Sequence, residues 1–138
     1  MAANTAPIFS SLGDVQWGTT VLTTLNTAKD GTGTVLTCFT ADATNGGFVQ
    51  RIRFRSAGTN IATVARVFIN NGSANSTPAN NILYDEITLA ATTLSEVAAL
   101  AVYELPLNFA LPPGYKLNVT LGTTVAAGYY VSVIGGKY

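Results

Sequence analysis

Runs rich in Val, Ile, Thr, Tyr and Phe recur along this chain at short intervals. Clusters of turn-forming residues separate them, at 30–33 (DGTG), 45–47 (NGG), 58–60 (GTN), 70–72 (NNG), 78–81 (PANN), 112–114 (PPG), 122 and 135–136 (GG). The runs suit a pleated, half-buried surface, and the clusters supply backbone angles that regular elements cannot adopt. Short strands at this spacing predict an all-β fold. The clearest period-two segment is 48–55, where Phe48, Ile52 and Phe54 fall on one face and Arg51, Arg53 and Arg55 on the other. Residues 61–70 form a long apolar run with one charge, Arg66, as a central strand would. Residues 82–89 place Leu83, Ile87 and Leu89 on one face, with Asp85 as the exception. Tyr115, Leu117, Val119 and Leu121 alternate, and Tyr129, Val131 and Val133 close the pattern. In 34–40 both faces are fairly apolar.

Two stretches read differently. Residues 93–105, which include LSEVAALAVYEL, fit either an amphipathic helix, with Leu94, Val97, Leu100 and Leu105 on one stripe, or a loop leading into a strand. Pro106 limits a helix, and Leu105, Leu107, Phe109 and Leu111 alternate, which favours a strand over roughly 100–109. Residues 1–16 show little periodicity but carry Pro7, Ile8, Phe9 and Leu12. They are expected to form an extended N-terminal arm that docks on its own core or on a neighbour. The expected organisation is therefore this arm followed by a single antiparallel β-sandwich of about eight strands over 17–138.

Composition narrows the function. With 138 residues the chain can bury about two-thirds of its surface, enough for a core without disulfides or a structural metal. Charged residues make up only 10% against a typical share of about 25%, and the formal net charge is zero. Zero net charge removes the overall field of a nucleic-acid binder. One cysteine and no histidine exclude the usual Cys/His zinc sites, intrachain disulfides and His-dependent triads. No apolar run approaches the roughly 20 residues of a membrane helix. The N-terminal residues lack the basic and apolar regions of a signal peptide, so synthesis in a cytoplasm is expected. So little charge leaves a surface of Thr, Ser, Asn, Ala and Gly, which a solitary soluble protein seldom presents, and points to cover by a partner.

Few residues offer chemistry. Asp85 and Glu86 are adjacent on an expected strand and point to opposite faces, a poor start for an acid/base pair. Cys38 lies mid-strand and reads as a small core residue, and Trp17, opening WGTTVLTTL (17–25), as an anchor at the sandwich end. No cofactor or metal site is expected. The arginine stripe, Arg51, Arg53 and Arg55, remains. It reads as a contact surface for acidic or aromatic groups on another protein, or as a solvated face whose charges discourage aggregation.

The segments NTAKDGTGTVLTCFTA (26–41), FVQRIRFRSAGTN (48–60), ATVARVFINNG (62–72), LYDEITLAA (83–91) and LPLNFALPPGYKLNVTLGTT (105–124) resemble small tailed-bacteriophage capsid cement, or decoration, proteins. The resemblance implies a jelly-roll sandwich on the outside of the phage head, acting as a homodimer or homotrimer that bridges neighbouring major capsid proteins. It implies a virion protein, not an enzyme, with no nucleic-acid or membrane partner. No residue motif comes with it. The candidate contact residues, Pro7, Ile8 and Phe9 of the arm and Arg51, Arg53 and Arg55 of the stripe, are read from the sequence itself. A carbohydrate- or receptor-binding module of a phage fibre or spike is the alternative, kept open by Trp17 and the scattered tyrosines.

Overall fold

The computed structural model describes residues 10–138, so Pro7, Ile8 and Phe9 lie outside the described residues. Nine strands follow in order: β1 (Leu12–Gly13), β2 (Gln16–Trp17), β3 (Leu36–Thr40), β4 (Gly47–Ser56), β5 (Thr63–Asn70), β6 (Asn81–Leu89), β7 (Val102–Leu111), β8 (Lys116–Leu121) and β9 (Tyr129–Lys137). A single 3-10 turn, Pro78–Asn80, precedes β6, and the described residues contain no α-helix. All pairings between strands are antiparallel.

β1 and β2 lie end to end along β9 and share one strand position. The first sheet then runs β1/β2-β9-β4-β7 and the second β3-β8-β5-β6. Counted as eight successive positions, the orders are 1-8-3-6 and 2-7-4-5. Two four-stranded sheets in this order form the jelly roll, built from two Greek keys. Between them lies the core: Val49, Ile52 and Phe54 from β4 and Tyr129, Val131 and Val133 from β9 face Ala65, Val67, Leu117, Val119 and Leu121 from β5 and β8. The run at 61–70 is a central strand, with β8 on one side and β6 on the other.

Three strands depart from strict alternation, each at a register shift. In β4 the shift falls between Val49 and Arg51. Val49 is therefore buried with Ile52 and Phe54, while Phe48 turns to the opposite face and is only half-buried. In β6 the shift opposite Val67 and Phe68 leaves Tyr84 as the extra residue. Leu83 then pairs with Phe68 on the outer face, whereas Asp85, Ile87 and Leu89 pair with Val67, Ala65 and Thr63. In β3 the extra residue is Cys38, so Cys38 and Phe39 are both buried. An inserted residue shifts every later side chain to the other face.

The stretch at 93–105 is neither helix nor strand through residue 101, and β7 begins at Val102. Val97 is 96% exposed, so the helical stripe has no core to face. The odd residues of β7 follow the expected alternation. β7 is a sheet edge, where Pro106 costs no ladder bond and Asn108 takes a left-handed φ of 56°. Residues 18–35, including most of WGTTVLTTL, form a long connection with isolated bridges at Leu22 and Leu25.

Candidate protein interface

β4 carries the arginine stripe to the outer face of the first sheet. Because β9 and β7 flank β4, three cross-strand rows result. Ile134, Arg51 and Pro106 form the first row; Ser132, Arg53 and Glu104 the second; Tyr130, Arg55 and Val102 the third. Trp17 of β2 extends the second row beyond Ser132. Directly opposed residues on one face have Cβ atoms about 5 Å apart, so each row sets its side chains next to one another.

Charge on this face is partly matched. Glu104 Oε1 lies 3.0 Å from Arg53 Nε, and its Oε2 lies 3.6 Å from Arg51 Nε. Neither approach has hydrogen-bond geometry, so both Nε–H groups are left without a directed acceptor. These side chains are two-fifths exposed, and such pairs contribute about 0.2–1 kcal/mol in water. Arg55 is exposed and makes no ion pair among the described residues. Three arginines against one glutamate leave the rows with two excess positive charges, in a chain whose net charge is zero.

Two aromatic residues complete the face. Trp17 is 66% exposed and Tyr130 57% exposed. Trp17 is thus not a buried anchor of the sandwich. It stands on the edge pair β2–β9 opposite Ser132, in the row of Arg53, and so faces outward and not into the core. Tyr130 was legible in principle: Tyr129, Val131 and Val133 point inward, so the residue between them points out. That it stands opposite Arg55 depends on β9 pairing with β4, which local pattern does not reveal. Trp, Tyr and Arg are the residues most enriched at energetic centres of interfaces.

The arm is partly placed. Residues 10–17 pair along β9, through Ser11 N to Lys137 O (2.8 Å), Asp14 N to Gly135 O (2.9 Å) and the β2 register. Gln16 reaches to the other sheet: its Nε2 donates to Thr40 O and its Oε1 accepts from Thr40 N, both at 2.9 Å.

Other chemistry is sparse. Four surface hollows, of about 170, 290, 510 and 480 Å³, are lined by one lysine, Lys116, and one thiol, Cys38, with no carboxylate. Burial pushes the Cys38 thiol up to about 12, so at neutral pH it is a protonated core group. No three residues of the His, Cys, Asp and Glu types cluster in metal-binding array among the described residues. Asp42 is held below the ordinary carboxylate value by the backbone N–H groups of Asn45 and Thr44, and Asp30 by the Thr32 hydroxyl and N–H. Both are turn-closing acceptors. No helix among the described residues is long and apolar enough to cross a membrane. Comparison with protein families, curated proteins and solved structures gives no match to this chain.

Proposed function

We propose that this protein is a structural component of a phage virion that binds the outside of an assembled capsid as a homo-oligomer and cements neighbouring major capsid proteins. The observation that carries this reading is the outer face of the β1/β2-β9-β4-β7 sheet, where Trp17, Tyr130 and three arginines stand together on a stiff support. A face of this kind suits a protein partner with acidic and apolar groups. Its two excess charges are too few for a nucleic-acid backbone, where binding rests on many phosphate contacts. On this reading there is no catalysis and no cofactor, and no membrane partner. The chain works on the capsid surface after synthesis in the host cytoplasm.

The mechanism is mass action. A ligand that binds the assembled lattice and not free subunits stabilises the lattice by its binding free energy at each site. A protein spanning a junction adds buried area that must be lost when the shell ruptures. Symmetric placement favours a closed dimer or trimer.

The test mixes purified protein with mature, undecorated capsids. Stoichiometric binding and a raised rupture temperature are expected. Replacing Arg51, Arg53 and Arg55 by Ala, or Trp17 and Tyr130 by Ala, should weaken binding with the circular dichroism spectrum unchanged. Absence of binding by the parent protein would sink the proposal, and unchanged binding by both variants would move the contact elsewhere. The exposure of Trp17 and Tyr130 on one face also favours the alternative, a glycan-binding module, since sugars stack on such rings. Saturable glycan binding with no capsid binding would establish that reading.

A further inference from the structure

A second site lies on the opposite side of the molecule. The outer face of the β3-β8-β5-β6 sheet carries Thr37, Asn118 and Phe68 in one row and Lys116 with Asn70 in the next. The loop at 72–75 rises beside these rows and closes a polar niche of about 170 Å³. The loop is tied down. Asn70 Oδ1 accepts from Gly72 N at 2.8 Å, and Asn75 Nδ2 donates to Gly33 O at 2.8 Å and Gly31 O at 3.1 Å. The niche is therefore held in shape by the side-chain amides of Asn70 and Asn75 bonded to backbone groups.

Asn118 makes the niche more than a dent. It is only 2% exposed, and its Oδ1 is engaged by the Thr37 hydroxyl at 2.8 Å. Its Nδ2 donates to nothing among the described residues and borders the niche. Nδ2 is not among the fully enclosed side-chain atoms without a partner, so its N–H groups open onto the niche, where a ligand oxygen would replace water as their acceptor. Lys116, two residues earlier on the same face, supplies the one charged group of the lining and has no ion pair among the described residues. Ser73 adds a hydroxyl. No carboxylate and no aromatic ring lines the space. One cation and a buried amide donor, with no negative charge, select an oxygen anion. Without an aromatic wall the niche lacks the stacking surface a sugar ring uses.

We infer that this niche binds a carboxylate, with Asn118 Nδ2 and the Lys116 ammonium as its donors. The carboxylate comes from a small free acid or from an acidic side chain of a partner. The inference is independent of the capsid reading, because it uses the other sheet.

The side-chain amide resonances of Asn118 in the intact, nitrogen-15-labelled protein report the site. Titration with sodium acetate should move them saturably, while sodium chloride at equal ionic strength should not. A blocked glutamyl peptide forms the second arm: a response to acetate alone assigns a small free acid, and a tighter response to the peptide assigns a partner side chain. Lys116→Gln should weaken acetate binding by about tenfold, the worth of one charge-assisted hydrogen bond. Asn118→Asp keeps the acceptor for Thr37 but puts a negative charge in the niche, and should abolish binding. A response that is not saturable, or that chloride reproduces, overturns the proposal. So does acetate binding that survives in both folded variants, and so does saturation by a neutral methyl glucoside without any by acetate.

Discussion

At the residue scale, Asn60 does more than its neighbours on the loops at one end of the sandwich. It is buried, and its Oδ1 accepts from Ala127 N (2.9 Å) and Gly128 N (2.7 Å). Its Nδ2 donates to Ser56 Oγ and to Gly128 O, both at 3.0 Å. One side chain thus holds the turn after β4 against the turn before β9. Gly128 is fixed there by its φ of 86° and by the Leu22 carbonyl, which a Cβ would meet at 2.7 Å. Asn60→Ala strands several buried backbone groups and should lower stability by about 2–4 kcal/mol, read from urea unfolding. Asp42 gives a pH dependence. Its carboxylate is favoured in the fold by the N–H groups of Asn45 and Thr44, so its folded value lies below its unfolded one. Its stabilisation is complete above the unfolded value and fades as pH falls through the folded value. Asp42→Asn keeps an acceptor without the charge, and urea midpoints of that variant should fall less steeply between about pH 5 and pH 2 than those of the parent. Of these residues the sequence marked only the turns at 45–47 and 58–60, and no cluster marked the turn at Gly128. Nothing local distinguishes Asn60 from the exposed asparagines, because its partners lie nearly 70 positions away.

At the element scale, the sheets protect their edges in different ways. β7 carries Pro106 and the left-handed Asn108, and β6 carries the adjacent charges Asp85 and Glu86. All three devices discourage pairing with a second chain. β3 is guarded by Gln16, whose amide occupies the donor and the acceptor of Thr40 as a neighbouring strand would. Gln16→Ala should cost about 1–2 kcal/mol and speed hydrogen exchange at the Thr40 amide, measured by NMR. The strands themselves were legible: β4, β5, β6, β8 and β9 fall where apolar alternation put them, and β7 begins two residues later than expected. What alternation missed were the inserted residues in β3, β4 and β6. A bulge is an agreement between two strands about which residue to leave unpaired, so it is invisible in either strand alone. Trp17 was misread for a related reason. Its run has the composition of a strand, but most of that run finds no sheet partner.

For the whole molecule, the low charge of the sequence resolves into a layout. Three of its seven basic residues occupy one strand of one sheet, while the loops at 57–62, 90–101 and 122–128 contain a single charge, Glu96. The composition signalled a covered surface, and the structure adds two faces of different chemistry, one cationic and aromatic, the other a small donor-lined niche. The second could not be read in advance, since Lys116, Asn118 and Ser73 come together only when β8 meets the loop after β5. The pairing of the N-terminal segment with β9 has a further consequence. Ser11 and Lys137 are hydrogen-bonded neighbours, so the described residues 10–138 nearly close a ring. The order in which its strands are covalently linked is then separable from the order in which they pair. A circular permutant that joins residue 138 to residue 10 through a short glycine-rich linker and opens between Val97 and Ala98, in an exposed loop without sheet partners, should keep the same two sheets. Cooperative unfolding and an unchanged strand spectrum by circular dichroism would show that pairing, not connectivity, specifies this architecture. A molten or aggregated permutant would mean that the covalent start at β1 is needed to set the register of β9.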